Sequence, residues 1–148
     1  MLAGLCMQKP VTWHKTVGRI HKAVYMASRG WLGANLGGVP MLMLFCIGRR
    51  SGIQRVVALA YAKVDGDFVV MASNAGQEKP PAWWYNLRAR EFAVVQVGRK
   101  RYRVRATQLE GRERERVFNR VKRRLPFFIY YDRKTQREIP VMRLRPEA

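Results

Sequence analysis

Residues 39–72 have the sequence VPMLMLFCIGRRSGIQRVVALAYAKVDGDFVVMA, which is three apolar runs separated by two short turns. The runs Met41–Ile47, Arg55–Val64 and Phe68–Ala72 have the length and the apolar composition of β-strands. Asp65-Gly66-Asp67, between the last two runs, is typical of a tight hairpin turn. Strands joined by turns this short must be antiparallel, because parallel neighbours need a long crossover. The segment therefore predicts an antiparallel sheet and disfavours a parallel doubly wound one.

The chain after residue 80 adds three strands and a helical excursion. Pro81 is suited to the first position of a short helix. The predicted elements, in chain order, are a helix, a hairpin of two strands, a second helix and a last strand: Ala82–Arg90, Phe92–Val97, Tyr102–Gln108, Glu110–Leu125 and Ile139–Leu144. An aromatic cluster, Phe127–Tyr131, precedes the last strand. Six antiparallel strands with flanking helices predict a mainly β (α+β) protein, built as a small closed or split β-barrel.

The amino-terminal segment has a helical pattern. From Thr12 to about Gly30, apolar residues recur at spacings of three and four, including Trp13 and, just beyond, Trp31. We therefore divide the chain into an amphipathic helix with a glycine-rich segment (1–38) and a barrel (39–148), which together form one globular domain. Packing of the helix on this core is the favoured interpretation, and a position in a membrane interface is the alternative.

Composition limits the chemistry and the partners. The 148 residues have a formal net charge of +19 and contain two histidines and two cysteines, which disfavours a metal site. No acidic residue precedes Asp65, so the first half attracts polyanions: nucleic acid, anionic lipid or a phosphorylated cofactor. The basic stretch from Gly98 to Arg124 is interpreted as a solvated surface, which makes nucleic acid the weaker partner. The start of the chain lacks the apolar core of a secretory signal, so we predict a cytoplasmic protein with membrane association left open.

The turn between the first two strands has the composition of an anion-binding site. Gly48 and Gly52 allow the backbone to bend sharply, and Arg49, Arg50 and Arg55 offer guanidinium donors suited to phosphate or carboxylate. A solvated basic hairpin is the alternative for the turn taken alone.

Three further segments could converge on this turn: Met71–Asn74 ends a strand, Pro81–Leu87 offers flat aromatic surface, and Phe127–Tyr131 adds an aromatic wall. Together they suit a ring-bearing cofactor with an anionic tail. They contain no carboxylate, histidine or cysteine, so the cofactor would have to bring the reactivity, as in hydride transfer.

The sequence resembles the deazaflavin (coenzyme F420)-dependent nitroreductase and quinone reductase family of mycobacteria and related actinobacteria. The likeness covers roughly residues 42–146 and lies in these segments: Gly48–Gly52 with Arg55, Asp65-Gly66, Ala72–Gly76, Pro81–Trp83, Asn86–Ala89, Val95–Val97 and Arg137–Val141. It implies a fold like the FMN-binding split barrel and an enzyme that passes a hydride from reduced deazaflavin (F420H2) to a quinone or nitro compound. Leu125 and Phe128 stand where nitroimidazole-reducing members have tyrosines, which favours a hydrophobic acceptor.

The resemblance also implies residue roles. The phosphate and polyglutamate tail of the cofactor would be held by Arg49, Arg50, Ser51 and Arg55. The ring would be surrounded by Val56, Val57, Ala58, Leu59, Ala60, Met71, Ala72, Ser73, Asn74, Ala82, Trp83, Trp84, Tyr85, Asn86 and Phe128. Ser73 would lie near the reacting ring, and Tyr61 and Tyr131 would face the acceptor together with Trp13 or Trp31. Whether Ala60 or Tyr61 fills the tyrosine position of the family is open.

Other functions remain as alternatives. One is a split-barrel protein that binds deazaflavin or lipid without turnover, and another is a binder of anionic membrane or nucleic acid driven by charge. FMN is the weaker alternative cofactor. The sequence does not predict an oligomeric state.

Overall fold

The computed structural model describes Asn35, Leu36 and residues 38–148. The predicted amino-terminal helix, with Trp13 and Trp31, lies outside the described residues. The described strands are β1 (Asn35–Leu36), β2 (Val39–Ile47), β3 (Gln54–Val64), β4 (Asp67–Met71), β5 (Phe92–Val97), β6 (Lys100–Leu109) and β7 (Val141–Pro146). The helices are α1 (Ala82–Ala89), α2 (Gly111–Arg124) and α3 (Phe127–Lys134), with a 3₁₀ turn at Asn74–Gly76.

Six of the strands close into an antiparallel barrel, which confirms the predicted fold class. Neighbours around the barrel follow the order β2-β3-β4-β7-β6-β5, and β5 pairs back with β2 through Phe45 and Val94. The register brings the end of β2, the start of β3, the end of β4 and the starts of β5 and β7 to one end of the barrel. We call this the site end, because the turn 48–53, the segment 72–81 and α1 all lie there.

Successive side chains along each strand point to opposite faces of the barrel wall, and each face contributes to its own hydrophobic core. Inward-facing side chains such as Leu44, Val70 and Leu144 fill the barrel, and Trp83 and Leu87 of α1 join this interior cluster. Outward-facing side chains of β3, β4 and β7 pack against α2 and α3 in a second cluster: Ala62, Val64, Val69, Met71 and Val141 against Val117, Phe118, Val121, Leu125 and Phe128. The barrel wall therefore separates two apolar layers.

Ion pairs with carboxylates neutralise part of the positive charge and link α2 to the barrel. Asp65 accepts hydrogen bonds from Arg116 and Arg120 at 3.1 and 3.0 Å, which lower the pKa of its carboxyl. Arg143 lies 2.6 Å from a carboxylate oxygen of Glu113 and 3.4 Å from Asp67. Much of the basic stretch between residues 98 and 124 is thus part of the fold's own polar network.

Element boundaries differ from the predictions at a few places. The last strand begins at Val141 rather than Ile139, because Pro140 has no N–H to donate to a ladder and is used instead as an acceptor by the Ala72 amide at 2.9 Å. The β5–β6 turn is tighter than expected, since Lys100 already pairs with Val97 and Gly98 takes a φ of +59°. Pro81 precedes α1 as its cap instead of forming its first residue.

Candidate functional site

A cavity of about 600 Å³ opens at the site end between the turn 48–53 and α1. Its lining includes these predicted site residues: Arg49, Arg50, Ser51, Arg55, Val57, Ala82, Trp83 and Asn86. Cys46, Gly48 and Pro81 complete the lining. The structure therefore brings the cationic turn and the first turn of α1 together, as expected from the sequence.

The turn is braced by its own backbone and by Ser51. Gly48 N donates to Ile53 O at 2.8 Å, and Gly52 N donates to Gly48 O at 2.9 Å. Ser51 Oγ accepts from Ile53 N at 3.2 Å and from Arg55 Nη2 at 3.4 Å. A Cβ on Gly48 would lie 2.6 Å from Ser51 Oγ, so a side chain at this position would displace the hydroxyl. Glycine at position 48 therefore allows the Ser51 hydroxyl to keep its place within the turn.

Asn86 ties this turn to α1. Its Oδ1 accepts the backbone N–H of Arg49 at 3.0 Å, and its Nδ2 lies 3.9 Å from Cys46 Sγ. The side chain is buried, so both polar ends are committed to protein partners. Asn86 lines the cavity, and its hydrogen bonds go to Arg49 in the turn and to Cys46 in β2. Its predicted contact with the cofactor ring stays a prediction.

The three arginines at the cavity are exposed and form no ion pair with any carboxylate of the described residues. The guanidinium of Arg49 lies over the Tyr85 ring at 4.7 Å, and that of Arg55 reaches Ser51. Three guanidinium groups that line one cavity without a described carboxylate partner, beside a partly apolar wall, are able to bind an oxyanion.

The residues of β3 that were predicted to contact the cofactor ring lie on two different faces of the barrel wall. Val57, Leu59 and Tyr61 pack with the interior cluster, where Tyr61 meets Phe68 edge to face at 5.5 Å. Val56 and Ala58 lie against Met43 and Phe45 on the outer face, and Ala60 contacts the second core.

Tyr61 and Tyr131 are consequently on opposite sides of the barrel wall. Tyr131 belongs to the outer cluster with Phe128 and Ala60, so the open choice between Ala60 and Tyr61 is a choice between two faces. Burial raises the pKa of Tyr61, with a smaller contribution from Tyr102, so its hydroxyl stays protonated at neutral pH.

The segment 72–77 leaves β4 with its backbone in a rare conformation. Asn74 and Ala75 have φ values of +46° and +54°, and Gly76 follows at +75°. The Asn74 side-chain amide donates to Lys79 O, just beyond the segment, at 2.9 Å. The Ser73 side chain is buried, and its hydroxyl forms no hydrogen bond with the part of the chain that the structure describes.

The remaining predicted site residues lie away from the cavity lining. Trp84 is buried in the interior cluster and donates its Nε1–H to Gln108 at 3.0 Å, and Ala72 belongs to the same cluster. Met71 and Phe128 belong to the outer cluster with Tyr131. The predicted aromatic walls therefore form two surfaces, one beside the cavity and one beside α3.

Comparison with known proteins identifies the family. The family model described as F420H(2)-dependent quinone reductase matches residues 16–146. The chain belongs to the F420H2-dependent quinone reductase family. It is 31% identical over 129 residues to an F420H2-dependent quinone reductase of Mycobacterium tuberculosis strain H37Rv, covering 84% of this chain and 86% of the relative.

Solved structures agree with this membership. A structure described as an F420-H2 dependent reductase (FDR-A) is 33% identical, with a TM-score of 0.66 over 72% of this chain and 94% of the other. Another, described as a domain-swapped dimer, is 28% identical, with a TM-score of 0.68 over 93% of this chain and all (100%) of the other. The resemblance inferred from motifs is confirmed, together with the enzyme class and the F420 cofactor. Nitroreductase activity and FMN binding stay predictions.

Cys46 is a residue of the F420H2-dependent reductase cavity that was not predicted from the sequence. It lies near the end of an apolar strand, where a cysteine is usually a small core residue, and it has no metal-binding or redox spacing to another cysteine. The bonds of Arg137 and Lys134 to the segment 72–77 were not predicted either, because side-chain bonds to backbone carbonyls leave no pattern in the sequence.

Cys46 offers a direct probe of cavity occupancy. Burial raises the pKa of its thiol, although Asn86 and Arg55 act in the opposite direction. In a Cys6→Ser background, we expect iodoacetamide to alkylate Cys46 more slowly than a free cysteine at the same pH, because less of it is thiolate. Added F420 should slow the reaction further, measured by mass spectrometry over time. An alkylation rate that saturating cofactor leaves unchanged would argue against binding in this cavity.

Proposed function

We propose that the chain transfers a hydride from F420H2 to a quinone-type acceptor, with the cofactor's phosphate and tail bound at the turn 48–55. The observation that carries this proposal is the set of guanidinium groups of Arg49, Arg50 and Arg55, unpaired with any described carboxylate, at the mouth of a cavity. Family membership supports the reaction class.

The donor set fits the anionic part of the cofactor. F420 carries a phosphodiester and glutamate carboxylates, and the turn offers guanidinium donors with no described carboxylate in the cavity lining to oppose them. The cavity volume of about 600 Å³ lies within the range of about 300–1,000 Å³ common for small-molecule sites. The wall formed by Val57, Ala82 and Trp83 is apolar and limits water on one side.

The outer face of β3 suits the ring. Val56, Ala58 and Ala60 are small, only partly buried and directly follow Arg55 along the chain. Phe128 and Tyr131 of α3 share a cluster with Ala60, and Ser73 adds a hydroxyl that has no described partner. We infer that these residues hold the ring, while the cavity holds the tail.

The protein's part in the reaction is positioning. When bound, reduced deazaflavin supplies the hydride, so the chain needs no nucleophile of its own. The arginines fix the anionic end, the apolar surfaces of β3 and α3 exclude water, and the Ser73 hydroxyl orients the ring by hydrogen bonding. Among the candidate tyrosines, Tyr131 is the one on the same face as this surface, and we assign it to the acceptor.

The tyrosine assignment has a direct test. Replacing Tyr131 by phenylalanine is expected to lower kcat/KM for menadione about 10-fold, because a hydroxyl that contacts the acceptor is lost. Tyr61→Phe is the matched control, since the Tyr61 ring packs with the interior cluster, and it should leave kcat/KM nearly unchanged. The reverse result, a loss confined to Tyr61→Phe, would move the acceptor to the other face.

The function itself is tested by anaerobic mixing of the protein with F420H2 and menadione, following deazaflavin absorbance. We expect the protein to accelerate the oxidation of F420H2 by menadione. In a separate titration, we expect the protein to bind F420 and not to bind FMN comparably. Binding of F420 without turnover would support the non-catalytic alternative, and binding of neither would reject the proposal.

The helices that the structure describes include none long and apolar enough to cross a membrane. Membrane contact through the predicted amino-terminal helix stays a prediction, because residues 12–30 lie outside the described part of the chain. Cytoplasmic location likewise stays a prediction.

A further inference from the structure

The segment 72–77 adopts a conformation that its residues do not favour by themselves. Ala75 has a φ of +54°, where its Cβ is crowded by backbone, and it lies between two other left-handed residues. Inside the segment, only the bonds from Gly76 N to Ser73 O at 2.8 Å and from Gln77 N to Asn74 O at 3.1 Å close the backbone turn. Such a conformation persists when surrounding contacts determine it.

Arg137 supplies most of those contacts. Its Nη2 donates to Ser73 O at 2.9 Å and to Ala72 O at 3.1 Å, and its Nε donates to Gln77 O at 2.9 Å. The planar guanidinium thus joins the two ends of the segment through donors of fixed geometry. Burial lowers the pKa of Arg137 from its ordinary value, yet an arginine still remains protonated at neutral pH.

Lys134 holds the middle of the same segment. Its Nζ donates to Ala75 O at 3.2 Å, and its methylene groups lie so close to Gly76 that an added Cβ would approach Lys134 Cδ to 3.0 Å. Lys134 is the last residue of α3, the helix that carries Phe128 and Tyr131. The segment is therefore fixed to the helix proposed to flank the ring.

We propose that Arg137 is a positioning residue for the deazaflavin ring: it holds the segment 72–77 in the conformation that presents the Ser73 hydroxyl, without touching the cofactor itself. This inference rests on the proposed function for its effect on the cofactor. The bonds from Arg137 to the segment are independent of that function and can be tested separately.

The first test measures the segment alone, by amide hydrogen exchange of the unliganded protein. In Arg137→Met, which keeps the length of the side chain but has no donor, exchange at Gly76 and Gln77 should rise about 10-fold or more. Arg133→Met is the matched control, because Arg133 is an exposed arginine on α3 that makes no polar contact with the described residues. Equal exchange in the two variants would overturn the proposal.

The second test measures the cofactor, by fluorescence titration with F420 and with the deazaflavin riboside that lacks the phosphate and tail. Arg137 is proposed to position the segment that contacts the ring, and both ligands contain this ring. Arg137→Met should therefore lower the affinity for both ligands by the same factor, about 10-fold. Arg50→Glu should instead weaken F420 and leave the riboside unchanged. A loss confined to F420, or unchanged affinity for both, would overturn the positioning role.

A third measurement covers the case in which Arg137→Met unfolds. Arg137→Lys keeps a cationic donor and should fold, with affinity for the riboside between wild type and Arg137→Met. Methylguanidine added to Arg137→Ala should restore part of the riboside affinity, which a general loss of stability would not allow. Absence of any deazaflavin binding by the wild type would reject the proposed function, while the exchange experiment would still decide the role of Arg137 in the segment.

Discussion

Replacement of Arg50 by glutamate is expected to lower the affinity for F420 by about 100-fold while leaving the fold intact. Arg50 is exposed and forms no hydrogen bond or ion pair with the described residues, so its loss costs the folded protein little. At the cavity, the change removes a charge-assisted hydrogen bond and places a carboxylate near the cofactor's phosphate. An effect of about 3 kcal/mol, which is about 100-fold, is the expected size. The measurement is a fluorescence titration with F420, with thermal unfolding as the check on stability.

The matched control is Arg99→Glu. Arg99 is exposed at the β5–β6 turn, at the end of the barrel opposite to the site, and the substitution changes the net charge by the same amount. If the general positive field captures the cofactor, both variants should lose affinity equally, and both losses should shrink at high salt. A loss confined to Arg50→Glu supports direct binding at the turn.

Asn86→Leu is expected to lower both stability and cofactor affinity. The substitution leaves the Arg49 amide without the acceptor that now lies 3.0 Å away, and it frees the turn from α1. A partly buried amide without a partner costs about 2 kcal/mol, which should appear as a lower denaturant midpoint. Because the arginines are carried by this turn, the affinity for F420 should fall about 10-fold as well.

Gln108→Leu is the control that separates the loss of stability from the loss of cofactor affinity. It removes the acceptor of the Trp84 indole N–H, which is another polar contact of α1, but one directed toward β6 rather than the turn. We expect a comparable loss of stability and unchanged affinity for F420. Equal losses of affinity in both variants would show that Asn86 acts only through the stability of α1.

The antiparallel barrel could be predicted because its evidence is local. The turns at 48–53, 65–66 and 98–99 each join neighbouring strands, so short-range patterns decide the direction of pairing. Closure of the barrel depends on the pairing of residues 43–45 of β2 with residues 94–96 of β5, which are far apart in the sequence, so no local pattern predicts this register. The start of β7 was misplaced because an apolar Ile139 continues the strand pattern although Pro140 interrupts the ladder.

The candidate site was predictable to the extent that its chemistry lies in one segment. The turn with Arg49, Arg50 and Arg55 indicates anion binding by its composition alone, because guanidinium donors and glycines lie close together in the sequence. The two faces of β3 were not separated in the prediction, since that requires knowing which side of the strand lines the barrel. Arg137 belongs to a segment that marks the family, yet its bonds to the carbonyls at 72, 73 and 77 emerge only when β7 meets the end of β4.

The central claim, that the turn 48–55 binds the anionic tail of F420, is tested most directly by titrating the wild-type protein with two ligands. One is F420, and the other is the deazaflavin riboside without phosphate and tail. We predict that F420 binds about 100-fold more tightly and that Arg50→Glu abolishes this difference. Equal affinity of the wild type for the two ligands would contradict the claim.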